Sequence, residues 1–251
     1  KDGLLFWNAY ATGTRTVRGL EAMAASFPPI PSEAIVKRPG SEHVSNWGNV
    51  MRQHGYHASF LYGGYGAFDN MNHFFGSNGF ALSDRLEIQN PKFTNAWGVS
   101  DEDLFHHAVG YFDAVARDGK PFFSIIMTTS NHKPFTFPPG IPGVPESGGA
   151  RDAGVRYADY AIGRFFDEAR TRPWFANTLF VIIADHDSRV YGQAEIPVEH
   201  YRIPALLYAP GRLPAAVCEK PFSNMDLAPT VLGLLGLPYE APFYGVNVLD
   251  P

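Results

Sequence analysis

Hydrophobic and polar positions along this chain switch repeatedly between two rhythms. Short apolar runs occur at Ala58-Ser59-Phe60-Leu61-Tyr62, Phe122 to Met127, Leu179 to Ala184 and Ala205 to Tyr208. Each is too short for a typical helix; the run at 179 has the unbroken apolar character of a strand buried on both faces, and Phe122 to Met127 reads as a buried strand. Amphipathic segments lie between them. Thr16 to Ala25 predicts a helix that stops before Pro28-Pro29, and Ser45 to His54 predicts one closed by Gly55. Ser100 reads as an N-cap for Asp101-Glu102-Asp103, whose charges favour the start of a helix running to Arg117. Val155, Tyr157, Tyr160, Ala161, Phe165 and Ala169 mark one apolar face from Ala153 to Arg170, and Met225 to Leu235 predicts a last helix. Residues 134–149, rich in Pro and Gly, read as an extended loop.

Strands alternating with helices predict an α/β fold, with a mostly parallel central sheet sandwiched by helices. No internal repeat or low-complexity linker interrupts residues 1–251, so a single domain is expected. The length suits one large domain. A net charge of −5 with no long basic run argues against nucleic acid as a partner. Cys218 is the only cysteine, which excludes an internal disulfide, and it reads as a small buried hydrophobe. No apolar run reaches the ~18 residues needed to span a bilayer. The chain opens Lys1-Asp2-Gly3-Leu4-Leu5-Phe6-Trp7, without Met or signal peptide, and reads as an excised piece.

The candidate chemistry sits where strands end. Leu179 to Ala184 delivers Asp185 and His186 side by side, at the carboxyl end where ligands gather in parallel sheets. A carboxylate oxygen and an imidazole nitrogen suit a divalent cation, and a salt-bridged strand end is the plain alternative. Thr12-Gly13-Thr14-Arg15-Thr16-Val17-Arg18-Gly19 is a small-residue turn entering a helix. A hydroxyl there lies among unpaired N–H groups that favour an anion, and a neighbouring dication would lower its pKa. The alternative is N-capping by Thr14 or Thr16. Arg15 and Arg18 meet either phosphate or solvent. Ser130-Asn131-His132-Lys133-Pro134 follows a second strand, where His132 contacts an oxyanion, carries a proton or caps a loop. Tyr62 to Asn72 reads as a glycine-rich rim loop in which Asp69, Asn70 and Asn72 contact ligand hydroxyls or form turns. His106 and His107 read as helix-face residues.

Assembled in order, these segments resemble the extracytoplasmic catalytic domain of the lipoteichoic-acid synthase family, in the alkaline phosphatase and sulfatase superfamily, and especially its Gram-negative branch. The resemblance rests on ATGTRTVRGLEA (11–22), YGGYGAFDNMN (62–72), WGVSDEDLF (97–105), MTTSNHKPF (127–135), YADYAIGRFF (157–166), Asp185-His186 and MDLAPTVLGLLG (225–236). It implies a sulfatase-like fold and a threonine nucleophile at Thr16. Asp185 and His186 would be metal ligands, with the Thr16 oxygen as another. His132 would contact the transferred phosphate, with Asn131, Arg18, Asp69 and Asn70 as further substrate contacts.

The implied reaction moves a phospholipid head group, first onto Thr16 and then to a hydroxyl of a glycan or polyol-phosphate polymer. Mn²⁺ is the first choice of metal, with Mg²⁺ or Zn²⁺ as alternatives. The implied location is the periplasmic face of the inner membrane, tethered by a segment outside this chain. A ligating glutamate is expected on a strand before the nucleophile, also outside this chain, and Glu21 does not match it. Positions that read the glycerol-phosphate head group in Gram-positive members are Gly64, Asp69 and Met71 here, so the head group stays open. The rivals are a sulfatase or phosphodiesterase-type hydrolase and an inactive relative that binds lipid or a partner. Cys218-Glu219-Lys220-Pro221-Phe222 fails the C/S-x-P/A-x-R pattern of formylglycine sulfatases, whereas Asp187-Ser188-Arg189 departs from the sequence common in active members.

Overall fold

The computed structural model describes residues 3–187 and 194–250. In chain order its elements are β1 (Leu4–Phe6), β2 (Ala9–Tyr10), α1 (Thr16–Ala25), α2 (Trp47–Gln53), β3 (His57–Tyr62), α3 (Met71–Ser77), β4 (Ala81–Ser83), α4 (Asp101–Arg117), β5 (Phe122–Met127), α5 (Arg151–Ala169), β6 (Phe180–Ile183), β7 (Ala205–Tyr208), β8 (Ala216–Cys218), β9 (Phe222–Ser223) and α6 (Leu227–Leu234). The chain divides into two compact units, Lys1–His54 with Ala176–Pro251, and Gly55–Phe175. The Ser188 and Arg189 positions singled out above lie outside the described residues.

The first unit holds a four-stranded sheet of order β6-β7-β1-β8 and a two-stranded parallel pair, β2 with β9. β7 runs antiparallel to both neighbours, while β1 and β8 are parallel. Phe6 stacks on Phe222 with ring centroids 4.4 Å apart, and Leu4, Leu207, Leu20 and Leu232 are buried in the same unit. β6 is an edge strand, and every residue in it is half-buried rather than buried on both faces as its apolar sequence predicts. Cys218 ends β8 half-buried, so it is not the core residue its type suggested.

The second unit carries an all-parallel sheet of order β4-β3-β5, with its strands connected through helices as parallel pairing requires. β3 is central and buried; β5 is an edge, half-buried throughout. Phe60 is fully buried and stacks on Phe75 at 3.9 Å, and Phe137 stacks on Tyr157 at 4.5 Å. α4 begins as its sequence predicts: Ser100 Oγ accepts from Asp103 N at 3.2 Å and donates to Asp103 Oδ2 at 2.6 Å. The stretch expected as one long rim loop is shorter, because Phe68–Asn70 form a 3₁₀ turn and α3 starts at Met71. Among the described residues no helix is long and apolar enough to cross a membrane.

His107, expected on a helix face, is half-buried with Nε2 2.8 Å from Ser83 Oγ. Burial pushes its pKa below 6.5, with His106 adding to the shift and Glu87 opposing it. Folding therefore favours the neutral ring. The associated stability is complete above the unfolded value and is lost as pH falls toward the lower folded value. Two predictions apply to this unit. Phe60→Ala should destabilise it by about 3–5 kcal/mol, measured by denaturant unfolding. Wild-type stability should decline as pH falls through and below about 6.5, and His107→Gln should remove part of that decline; identical pH slopes would refute it.

Candidate active site

The first helix is built to come close to the acid–imidazole pair. α1 starts at Thr16 after Arg15, whose extended backbone (φ −139°) ends the turn. Arg15 is the N-cap residue and makes no side-chain cap, so neither Thr14 nor Thr16 caps the helix as the simpler reading held. Gly19 follows Thr16 by one turn and shares its face of the helix. A Cβ at Gly19 would stand 2.6 Å from Asp185 O and 2.8 Å from Asp185 Cβ. α1 thus packs at Gly19, one turn after Thr16, directly on the segment that carries the acid.

A second brace comes from Asn224, which is fully buried. Its Oδ1 accepts from Thr12 N at 3.2 Å and its Nδ2 donates to Asp185 O at 3.4 Å. The turn before α1 and the end of β6 are therefore tied through one side chain. Thr12 Oγ1 is buried in this turn without a hydrogen-bond partner among the described residues.

Asp185 and His186 are oriented as a donor pair. His186 Nδ1 lies 2.6 Å from Asp187 O. A carbonyl only accepts, so Nδ1 is the donor in this contact and Nε2 is the nitrogen turned toward Asp185. That nitrogen is 3.5 Å from Asp185 Oδ2. Two donors each ~2.1 Å from one ion at a tetrahedral angle would be ~3.4 Å apart, so the spacing suits a shared divalent cation and equally the direct imidazole–carboxylate pair that is the plain alternative. Among the described residues, no group of three or more His, Cys, Asp and Glu side chains gathers for a metal. Any further protein ligand drawn from the described residues is of another type, and the Thr16 hydroxyl is the candidate.

Arg18 corrects both of its expected roles. Its guanidinium pairs with the fully buried Glu21 at 2.8 Å and donates to Ile30 O at 3.0 Å and Ser32 O at 2.5 Å. Glu21 also accepts from Ile35 N at 2.7 Å. Arg18 is a brace for the chain after α1 rather than an arm for phosphate or a solvated charge.

The remaining candidates belong to the second unit, at the ends of β3 and β5. Asn131 and His132 are exposed; Asp69 and Asn70 are half-buried, with φ of 52° and 63°. Trp97 gathers the two loops. Its ring lies 3.9 Å from that of His132 and 5.8 Å from that of Phe68, next to Asp69. The backbones close up as well, since a Cβ on Gly98 would meet Gly63 O at 1.9 Å. Beneath the His132 loop, fully buried Asp101 accepts from Thr129 N at 3.0 Å and Ser130 N at 2.9 Å through Oδ1, while Oδ2 has no partner among the described residues. Burial pushes its carboxyl pKa up, and those N–H bonds oppose the shift.

A family model described as Sulfatase matches residues 1–237. The chain belongs to the sulfatase family. A protein of the alkaline phosphatase superfamily from Vibrio parahaemolyticus shares its structure at TM-score 0.93 and 41% identity, over 100% of this chain and 62% of that one. The lipoteichoic acid synthase LtaP from Listeria monocytogenes gives TM-score 0.86 at 20% identity, over 99% and 67%, a likeness of fold. Phosphoglycerol transferase I of Xanthomonas axonopodis pv. citri is 27% identical over 199 residues, 75% of this chain and 28% of its own length. Lipoteichoic acid synthase of Staphylococcus saprophyticus is 24% identical over 209 residues, 74% and 31%. The resemblance read from the motifs is thus matched by relatives of the lipoteichoic-acid synthase type, and the α/β fold by solved members of the superfamily. The chain spans less than a third of the length of these two curated relatives.

Sequence reasoning missed Gly19, Asn224 and Asp101. Gly19 alone left a signal, because glycine inside a helix costs ~1 kcal/mol against Ala and so marks a close approach. Gly19→Ala adds helix propensity but drives a methyl into Asp185. It should leave far-UV circular dichroism unchanged and weaken Mn²⁺ binding about tenfold or more, the scale of lost ligand support. Calorimetric titration checks this, and unchanged affinity would show that the Asp185 contact has no bearing on the metal pair.

Proposed function

We propose that this sulfatase-family chain is the catalytic part of a metal-dependent phosphotransferase that moves a phospholipid head group, phosphoglycerol first, to a hydroxyl of a glycan or polyol-phosphate polymer. The observation that carries this reading is the packing of α1 at Gly19, one turn after Thr16, against Asp185, whose carboxylate lies 3.5 Å from His186 Nε2. The names of the two curated relatives, a phosphoglycerol transferase and a lipoteichoic acid synthase, support the choice of chemistry.

In this reading Asp185, His186 and the Thr16 oxygen hold a divalent cation, Mn²⁺ first, with Mg²⁺ or Zn²⁺ as alternatives. When bound, the cation supplies Lewis acidity that lowers the hydroxyl pKa and offsets charge on the phosphoryl oxygens. Thr16 Oγ forms a bond to the head-group phosphorus, the bond to the diacylglycerol oxygen breaks, and diacylglycerol leaves as the alcohol with one proton. The uncapped first turn of α1 offers N–H groups and the positive end of the helix dipole to the phosphoryl oxygens. His132, with Asn131, Asp69 and Asn70, contacts the transferred group. An acceptor hydroxyl then takes the phosphoalcohol from phosphothreonine and regenerates Thr16. The protein works at the periplasmic face of the inner membrane, where the donor lipid is reached, through a membrane segment outside this chain.

The sulfatase-type hydrolase is the weaker reading. Cys218 lies at the half-buried end of β8 and lacks the formylglycine pattern. Hydrolysis that proceeds without acceptor would favour that reading.

The full-length protein with Mn²⁺ and head-group-labelled phosphatidylglycerol should acquire label on the Thr16 peptide, read by mass spectrometry. Thr16→Ala should acquire none and Thr16→Ser should keep a reduced level, because a serine hydroxyl is still a nucleophile. Label on another residue, or turnover by Thr16→Ala, would remove the assignment.

A further inference from the structure

Tyr65 and Phe68 each leave 47% of their surface exposed, three positions apart in one turn. Soluble proteins hold scattered apolar residues at the surface, but grouped rings held in fixed orientations call for a ligand. These rings are held. The Arg85 guanidinium lies over Tyr65, 4.3 Å from the ring centroid, and Arg85 N donates to Gly64 O at 3.1 Å. Trp97 meets Phe68 edge-on, with ring planes at 84°. Trp97 is fixed at both ends: Nε1 donates to Lys133 O at 2.6 Å and the backbone N to Asn95 Oδ1 at 2.8 Å. Asn95 is itself anchored, its Nδ2 donating to Thr136 Oγ1 at 2.8 Å. The Arg85 guanidinium over Tyr65, the edge contact of Phe68 and the hydrogen bonds of Trp97 set these orientations, so a ligand stacking here meets rings already in place.

We propose that Tyr65, Phe68 and Trp97, together with Arg85, form a carbohydrate platform that seats the acceptor glycan. The word acceptor rests on the transferase reading above; sugar binding does not. A pyranose ring presents C–H bonds on one face and hydroxyls around its rim. The C–H face complements the negative face of an aromatic ring. The rim needs hydrogen-bond partners, and the guanidinium beside Tyr65 brings several donors to it. A surface for acyl chains would be a continuous aliphatic patch, whereas here a guanidinium and the His132 imidazole interrupt the rings. The platform adjoins His132, the residue assigned to the transferred phosphate.

The test is calorimetric and tryptophan-fluorescence titration of the chain with maltohexaose and with cellohexaose, α- and β-linked glucose oligomers. At least one should give saturable binding, and a Tyr65→Ala/Phe68→Ala variant should weaken it about tenfold or more, as lost stacking predicts. The variant's far-UV spectrum and unfolding transition should match wild type, since both rings are exposed; if they do not, Tyr65→Ala alone replaces it. No saturation with either sugar, or equal affinity in wild type and variant, would overturn the proposal. So would vesicle binding that the variant loses while its sugar binding stays. In the full-length protein the variant should keep Thr16 labelling from phosphatidylglycerol and lose transfer to the glycan. Wild-type protein that binds sugar but never labels Thr16 would defeat the transferase reading and leave the platform standing.

Discussion

The approach of α1 to Asp185 is the constraint on which the first unit's chemistry depends. A helix bearing any side chain at position 19 would stand off from the strand end, because even one methyl would reach Asp185 O and Cβ. With glycine there, backbone meets backbone. Asn224 repeats the same tie from below, joining the Thr12 turn to Asp185 O. Three stretches distant in sequence are thereby held against one another by contacts that leave the functional side chains out of the bracing. That separation of tasks matters, since a hydroxyl or carboxylate already engaged in structural bonds is poorly placed to react. Arg18 shows the opposite case: its charge is committed to Glu21 and two carbonyls.

The second unit solves the same problem with an aromatic residue. Trp97 sits between the loops that follow β3 and β5, and Asp101 fastens the second of them from within the core. The orphaned Oδ2 of Asp101 is a costly feature, because a buried polar atom without a partner loses its hydration. What it secures is the backbone at Thr129 and Ser130, and hence the start of the segment bearing His132.

Periodicity made most elements readable. The helices at 16–25 and 101–117 and the strands at 122–127 and 205–208 stand where their patterns put them. Those predictions rest on local forces, capping and alternation of burial, which a sequence displays directly. The two-residue strands β2 and β9 are too short to carry a period, and the antiparallel direction of β7 is set by its neighbours. At the site, Asp185 and His186 were legible as a pair because adjacent acid and imidazole are unusual at a strand end. The fate of Arg18 was not, since its carbonyl partners lie 12 and 14 residues away and nothing local selects them. Asn224 was hidden for the same reason, its partners lying 212 and 39 residues away.

The edge positions of β5 and β6 carry a consequence for handling the protein. Both strands are almost wholly apolar, and each presents a side with no partner strand among the described residues. Backbone groups along such a margin template further pairing, and neither Pro nor a charged residue in either strand blunts it. A segment outside the described residues that pairs there would cover such a margin; where none does, strand-mediated self-association is the expected outcome, checked by light scattering against concentration. A charged substitution on one of those strands is the first remedy to try before a concentration-dependent change in activity is read as regulation.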